Sequence, residues 1–156
     1  MYLGIDFGTS GVRASIINSQ KKEIYNCQVP IPLPLEQNNI ISQDPKIWWD
    51  AFLELCNNLK ENFDVKKILK ISVNGTSGTI LLTDYEGIPL SNAIMYNDTS
   101  AIEESKLVEK ISDNHPIVSS SSNALVRALK LIKEKKQDAR LSRSGSRRRR
   151  HKLSRL

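Results

Sequence analysis

A chain of 156 residues accommodates one domain of ordinary size and excludes a large two-domain enzyme within this polypeptide. Hydrophobic residues make up 39% and charged residues 26%, enough for a core, yet all nine aromatic side chains lie at or before Tyr96. The net charge of +6 divides into −3 over residues 1–132 and +9 over residues 133–156, so the basic character belongs to the tail and a uniformly basic nucleic-acid-binding fold is excluded.

Leu3, Ile5 and Phe7 alternate with Gly4 and Asp6, Gly8 to Gly11 form a turn cluster, and Val12, Ala14 and Ile16 resume the alternation. This spacing predicts a β-hairpin from the first residues onward. A third strand is expected over Glu23–Val29, after which Pro30, Pro32 and Pro34 argue against regular structure and leave an extended connector to Gln43. Asp44 followed by Pro45 is a helix start: the carboxylate accepts from a free backbone N–H, and proline suits a position that needs no donor. Trp48, Phe52, Leu55 and Leu59 then recur on one helical face, predicting a helix over Pro45–Asn62 that covers a sheet, with Trp48 and Trp49 in that packing and Cys56 in the core.

Further on, Ile68–Asn74 reads as a strand, Gly75–Gly78 as a tight loop and Ile80–Thr83 as a second strand, with a turn over Asp84–Pro89 leading into Asn92–Tyr96. Helices are expected over Ala101–Ile111 and Ala124–Lys133, with His115 in a loop. The Arg and Ser bias of residues 134–156 predicts a disordered basic tail beyond a folded body of residues 1–133. Cys27 and Cys56 are too few for a disulfide framework, and no apolar stretch reaches the roughly 20 residues of a membrane helix, so a cytoplasmic protein with reduced thiols is expected.

The chemistry concentrates in two loops. In Asp6-Phe7-Gly8-Thr9-Ser10-Gly11, with Arg13 two residues further, glycines allow close backbone approach to a phosphate. Hydroxyls and free N–H groups donate to its oxygens, Arg13 supplies positive charge, and a carboxylate at a strand end holds a magnesium ion through water. The spacing is not that of a P-loop. The second loop, Thr76-Ser77-Gly78-Thr79, offers small hydroxyls between two strands.

The segment DFGTSGVR resembles the first phosphate motif of the FGGY carbohydrate kinases, matching at Asp6, Gly8, Thr9, Ser10 and Arg13. DPKIWWDAF is similar to that family's D-P-x-x-W-W helix, LKISVNGTSGTILLTDYEGIPLSNAIMYND to its strand, sugar-site loop and hairpin, and SSSSNALVRALKLI to the helix that follows. The resemblance covers residues 1–133 and looks closest to the xylulokinase and ribulokinase group, in particular the D-ribulose kinase type. It implies an α/β, ribonuclease-H-like fold of the actin-like ATPase superfamily, present as a truncated N-terminal domain with a mixed sheet and flanking helices. It further implies ATP and Mg2+ as cofactors, with Asp6 at the metal and Asp6, Gly8, Thr9, Ser10 and Arg13 at the phosphates. Thr76, Ser77, Gly78 and Thr79 would line the sugar site, and Tyr96, Asn97 and Asp98 its opposite wall.

The function so implied is that of an N-terminal fragment of an ATP-dependent ketopentose or polyol kinase. Such a fragment is expected to be inactive alone, because the family's catalytic aspartate and nucleotide domain follow the matched region. Two alternatives stand beside it: a non-catalytic sugar- or phosphate-binding half-domain whose basic tail binds nucleic acid, or a truncation product without function.

Overall fold

The computed structural model describes residues 1–113 and 115–137. The first three strands, β1 (Tyr2–Phe7), β2 (Gly11–Ile17) and β3 (Glu23–Pro30), run antiparallel in sequence. A hairpin of β4 (Leu35–Gln37) and β5 (Ile40–Gln43) comes next, then the long helix α1 (Pro45–Asn62), a 3-10 turn over Val65–Lys67, and β6 (Lys70–Gly75). Strand β6 returns parallel to β1, giving a mixed sheet in the order β3-β2-β1-β6. Strand β7 (Ala93–Ile94) joins the hairpin in a second sheet, β4-β5-β7. Three helices close the described chain: α2 (Ile102–Ile111), the short α3 (Pro116–Ser119) and α4 (residues 124–137).

Helix α1 begins as its sequence dictates, with Asp44 accepting from the Lys46 N–H at 2.9 Å and Pro45 in the first turn. Its Ala51, Leu55 and Leu59 bury against Leu3, Ile5, Val12, Ala14, Ile16 and Val29, the inward residues of β1, β2 and β3. This cluster is the main core. Trp49 departs from its expected packing role, being 60% exposed and turned toward Phe52. Cys56 is only half-buried, whereas burial raises the Cys27 thiol pKa.

The expected connector between Pro30 and Gln43 instead contains the β4–β5 hairpin. Its tip is Asn38-Asn39, both at positive φ (52° and 63°), the pair that a tight type I′ turn requires. The expected strand over Ile80–Thr83 reduces to two isolated bridges, Ile80 to Ile94 and Thr83 to Pro89. Helix α4 runs four residues beyond its expected end at Lys133, and the rest of the predicted tail lies outside the described residues.

All six residues of β6 are exposed, among them Ile71 and Val73, and the strand is the outer one of its sheet. Among the described residues its outer backbone groups have no strand partner, an edge of the kind that templates pairing with another strand.

A smaller cluster of Ala101, Val108 and Val126 packs α2 against α4. Beside it, Lys133 Nζ donates to Glu104 Oε1 at 2.8 Å. Burial alone raises the Glu104 pKa, but the Lys133 hydrogen bond and the charges of Lys133 and Lys130 outweigh it and hold the carboxyl below its ordinary value. The same contact raises the Lys133 pKa. The unfolded chain therefore binds more protons at Glu104 near its reference pKa of about 4.3, and the stabilisation is present above that value and lost as pH falls through the folded pKa. For Lys133 the stabilisation is present below about pH 10 and lost as pH rises through its folded value. The protection factors of the α2 amides, which are exchange rates referred to the intrinsic rate at each pH, are expected to fall on acidification from pH 6 to 3, and Glu104→Gln to flatten that profile. An unchanged profile in the variant would remove the pair as its cause.

Candidate functional site

Parallel strands β1 and β6 both end at the same edge, and the loops leaving their carboxyl ends face each other there. Thr76 N–H donates to the Phe7 carbonyl at 3.1 Å, tying the second loop to the first. Between them lies a cleft of about 160 Å³ lined by Phe7, Gly8, Thr9, Trp48, Gly75, Thr76, Thr79 and Met95. Thr9 of the first loop and Thr76 and Thr79 of the second thus share one cavity.

Asp6 does not share it. Alternation along β1 sends Asp6 to the sheet face opposite α1, where Arg13 Nη1 donates to Asp6 Oδ2 at 3.3 Å and Asn74 Nδ2 to Asp6 Oδ1 at 3.4 Å. Arg13 Nη2 also donates to Ser10 Oγ at 3.3 Å. Asp6 and Arg13 line a separate depression of about 250 Å³ with Ser15, Glu23, Asn26 and Gln28. The turn is closed by Gly8 N–H on the Gly11 carbonyl (3.0 Å), while the N–H groups of Thr9 and Ser10 have no hydrogen-bond acceptor among the described residues. Two free N–H groups beside a guanidinium fit a phosphate. Asp6, a partly exposed carboxylate at a strand end, fits a hydrated magnesium held through a single protein ligand. Among the described residues no group of three or more His, Cys, Asp and Glu is arranged to hold a metal by itself.

The expected opposite wall changes most. Tyr96 and Asn97 are exposed and outside the cleft lining, as is Ser77. Asp98 is fully buried, so it is withdrawn from direct sugar contact. Its Oδ2 accepts from the Ile41 N–H of β5 at 2.7 Å, and its Oδ1 accepts from Ser100 N–H (3.0 Å) and Ser100 Oγ (2.6 Å). This carboxylate is a structural anchor between the second sheet and the loop before α2. Met95 takes the wall position instead.

Several cleft residues escaped the sequence reading. Trp48 lies on α1 and also faces the cleft, with its Nε1 donating to Gln43 Oε1 at 2.8 Å. Gln43, 1% exposed, is held in turn by Nε2 donation to the Pro32 carbonyl at 2.7 Å. The paired Trp48-Trp49 was the available signal, since one helix face cannot bury both.

A mixed sheet with flanking helices, a glycine-hydroxyl turn after its first strand and a hydroxyl loop after a parallel neighbour define an α/β domain of the actin-like ATPase fold. The match to the FGGY family of carbohydrate kinases, N-terminal domain, spans residues 1–133, and the chain belongs to that family. It is 24% identical over 131 residues to the xylulose kinase of Staphylococcus xylosus, covering 84% of this chain and 27% of that protein. The xylulose kinase of Escherichia coli K12 is 30% identical over 113 residues, covering 70% of this chain and 22% of the relative. Among solved structures, the ligand-bound xylulose kinase of Lactobacillus acidophilus superposes with a TM-score of 0.71 at 20% identity, over 88% of this chain and 29% of its own. The chain thus spans about a quarter of the length of these relatives. No helix among the described residues is long and apolar enough to cross a membrane.

Proposed function

We propose that this chain forms one wall of the active cleft of an ATP-dependent kinase for a ketopentose or related polyol. The observation that supports this most is the single cleft holding Thr9 of the glycine turn with Thr76 and Thr79 of the hydroxyl loop. Threonine hydroxyls both donate and accept, which suits a polyol whose every hydroxyl needs both kinds of partner. At about 160 Å³ the cleft lies below the roughly 300–1,000 Å³ of complete ligand pockets, as one wall of a larger site would.

MgATP, when bound, supplies the γ-phosphoryl group and the charge neutralisation for its transfer. The free N–H groups of Thr9 and Ser10 and the cation of Arg13 would hold phosphate oxygens, and Asp6 would hold the hydrated metal. The hydroxyl loop orients the sugar. A base to take the proton from the attacking hydroxyl is not present in the cleft lining, which contains no carboxylate, and Asp98 is committed elsewhere. The 156-residue chain alone is therefore expected to bind but not to turn over.

Titrating the 15N-labelled chain with D-ribulose, D-xylulose and glycerol is expected to move the amide resonances of Thr9, Thr76 and Thr79 more than those of the core. The absence of such shifts would defeat the sugar-wall reading. With MgATP and the same panel, no sugar-dependent ADP above an Asp6→Ala control is expected. Turnover at kinase rates of roughly 1–100 per second would show that a base lies within this chain.

A further inference from the structure

Helix α4 carries Arg127 at 1% exposure, while its neighbours Val126 and Leu131 are buried and apolar, as ordinary helix packing requires. A buried guanidinium costs several kcal/mol of desolvation unless its surroundings offset it. Burial lowers its pKa, and the negative charge of Asp98 opposes that shift.

Its guanidinium donates to one wall and packs against the other. Nη1 donates to the Met95 carbonyl, and Met95 lines the cleft. Nη2 lies 3.2 Å from the point that a Cβ on Gly78 would occupy, beneath the hydroxyl loop. Gly78 has a φ of 81°, so the loop is both left-handed and without a side chain where the guanidinium passes. Nε has no partner among the described residues. The walls are also joined directly, by two Ile80–Ile94 backbone bonds (3.0 and 2.8 Å) and by Tyr96 N–H on Thr79 Oγ1 (3.2 Å). Three residues along α4, Lys130 Nζ donates to Ser100 Oγ, which donates to Asp98.

We propose that Arg127 is a positioning residue: by bracing the Met95 carbonyl and the backbone at Gly78 from behind, it sets the separation of the two cleft walls and so the grip on a sugar or polyol. The proposal rests on the kinase reading for its ligand, and on geometry alone for its brace. An apolar residue of similar volume would satisfy the packing but release Met95. Lysine would keep the charge but lose the planar fork that reaches two points at once.

The test uses the full 156-residue chain as wild type, Arg127→Met and Arg127→Lys, with amide exchange and D-xylulose titration followed by NMR. In Arg127→Met, amides of Ile80, Ile94 and Tyr96 are expected to exchange about tenfold faster and the sugar dissociation constant to rise about tenfold, the effect of one charge-assisted hydrogen bond. Protection at Leu3, Ile5 and Val12 should stay within about twofold. Wild-type exchange and affinity in a folded Arg127→Met overturn the proposal. If Arg127→Met does not fold, Arg127→Lys decides: the same local loosening supports the brace, and wild-type behaviour overturns it. If the wild-type chain shows no sugar-induced shifts, the kinase reading fails, while exchange at Ile80, Ile94 and Tyr96 still decides whether Arg127 holds the walls.

Discussion

Replacing Asp98 by alanine is expected to destabilise the chain by about 3–5 kcal/mol, the cost of breaking a buried charged cluster from one side. The half-buried Ile41 N–H, Ser100 N–H and Ser100 hydroxyl all lose their acceptor, and a donor left unsatisfied costs up to about 1–3 kcal/mol when fully buried. Arg127 would also keep its buried positive charge without the Asp98 carboxylate nearby. Asp98→Asn keeps the volume and one carbonyl acceptor, so about half of that loss is expected. Urea unfolding followed by circular dichroism measures both. A residue that served only as a sugar ligand would give the opposite pattern, with weakened binding and unchanged stability. An alanine variant within about 0.5 kcal/mol of wild type, the range of ordinary surface substitutions, would refute the anchoring role.

The second large effect is expected at Gly11. A Cβ there would sit 2.8 Å from the Val29 carbonyl oxygen and 3.4 Å from Pro30 Cα, both backbone atoms of the adjoining strand β3. Neither can yield without moving that strand, so Gly11→Ala is expected to cost about 1–3 kcal/mol or more by overpacking. The Gly8 N–H bond that closes the turn on the Gly11 carbonyl would be displaced with it. At Gly8 the nearest obstacle is Arg13 Nη1 at 2.5 Å, the mobile end of a side chain. Gly8→Ala should therefore cost less stability but swing the guanidinium away from Asp6. Parallel urea titrations of the two variants test the contrast, and equal destabilisation would contradict it. Gly11, which is not among the residues matched to the phosphate motif, is thus required to be glycine by packing against β3.

Local chemistry was legible wherever a residue's partner lies a few positions away. The Asp44-Pro45 start, the apolar stripe of α1 and the alternation of β1 and β2 depend on capping and periodicity, which the chain carries in itself. The β4–β5 hairpin was hidden because three prolines dominate the reading of residues 30–34. Its signal was nevertheless there, in two consecutive asparagines able to adopt positive φ. The strand expected at Ile80–Thr83 has the right residues but finds a partner for only isolated positions.

For the site, sequence alone determined the family pattern and the two loops that meet beyond β1 and β6. Parallel strands joined through a helix must bring their carboxyl ends to one edge. Which side chains enter the cleft was decided only by the tertiary structure. Strand alternation turns Asp6 to the far face, where it meets Arg13 and Asn74. Asp98 is withdrawn by an N–H donated 57 residues earlier in the chain, and the Met95 carbonyl is claimed by a guanidinium 32 residues later. A carboxylate or a guanidinium reads the same in sequence whether it faces a ligand or a buried backbone group. The difference lies in partners that only folding brings within hydrogen-bond distance.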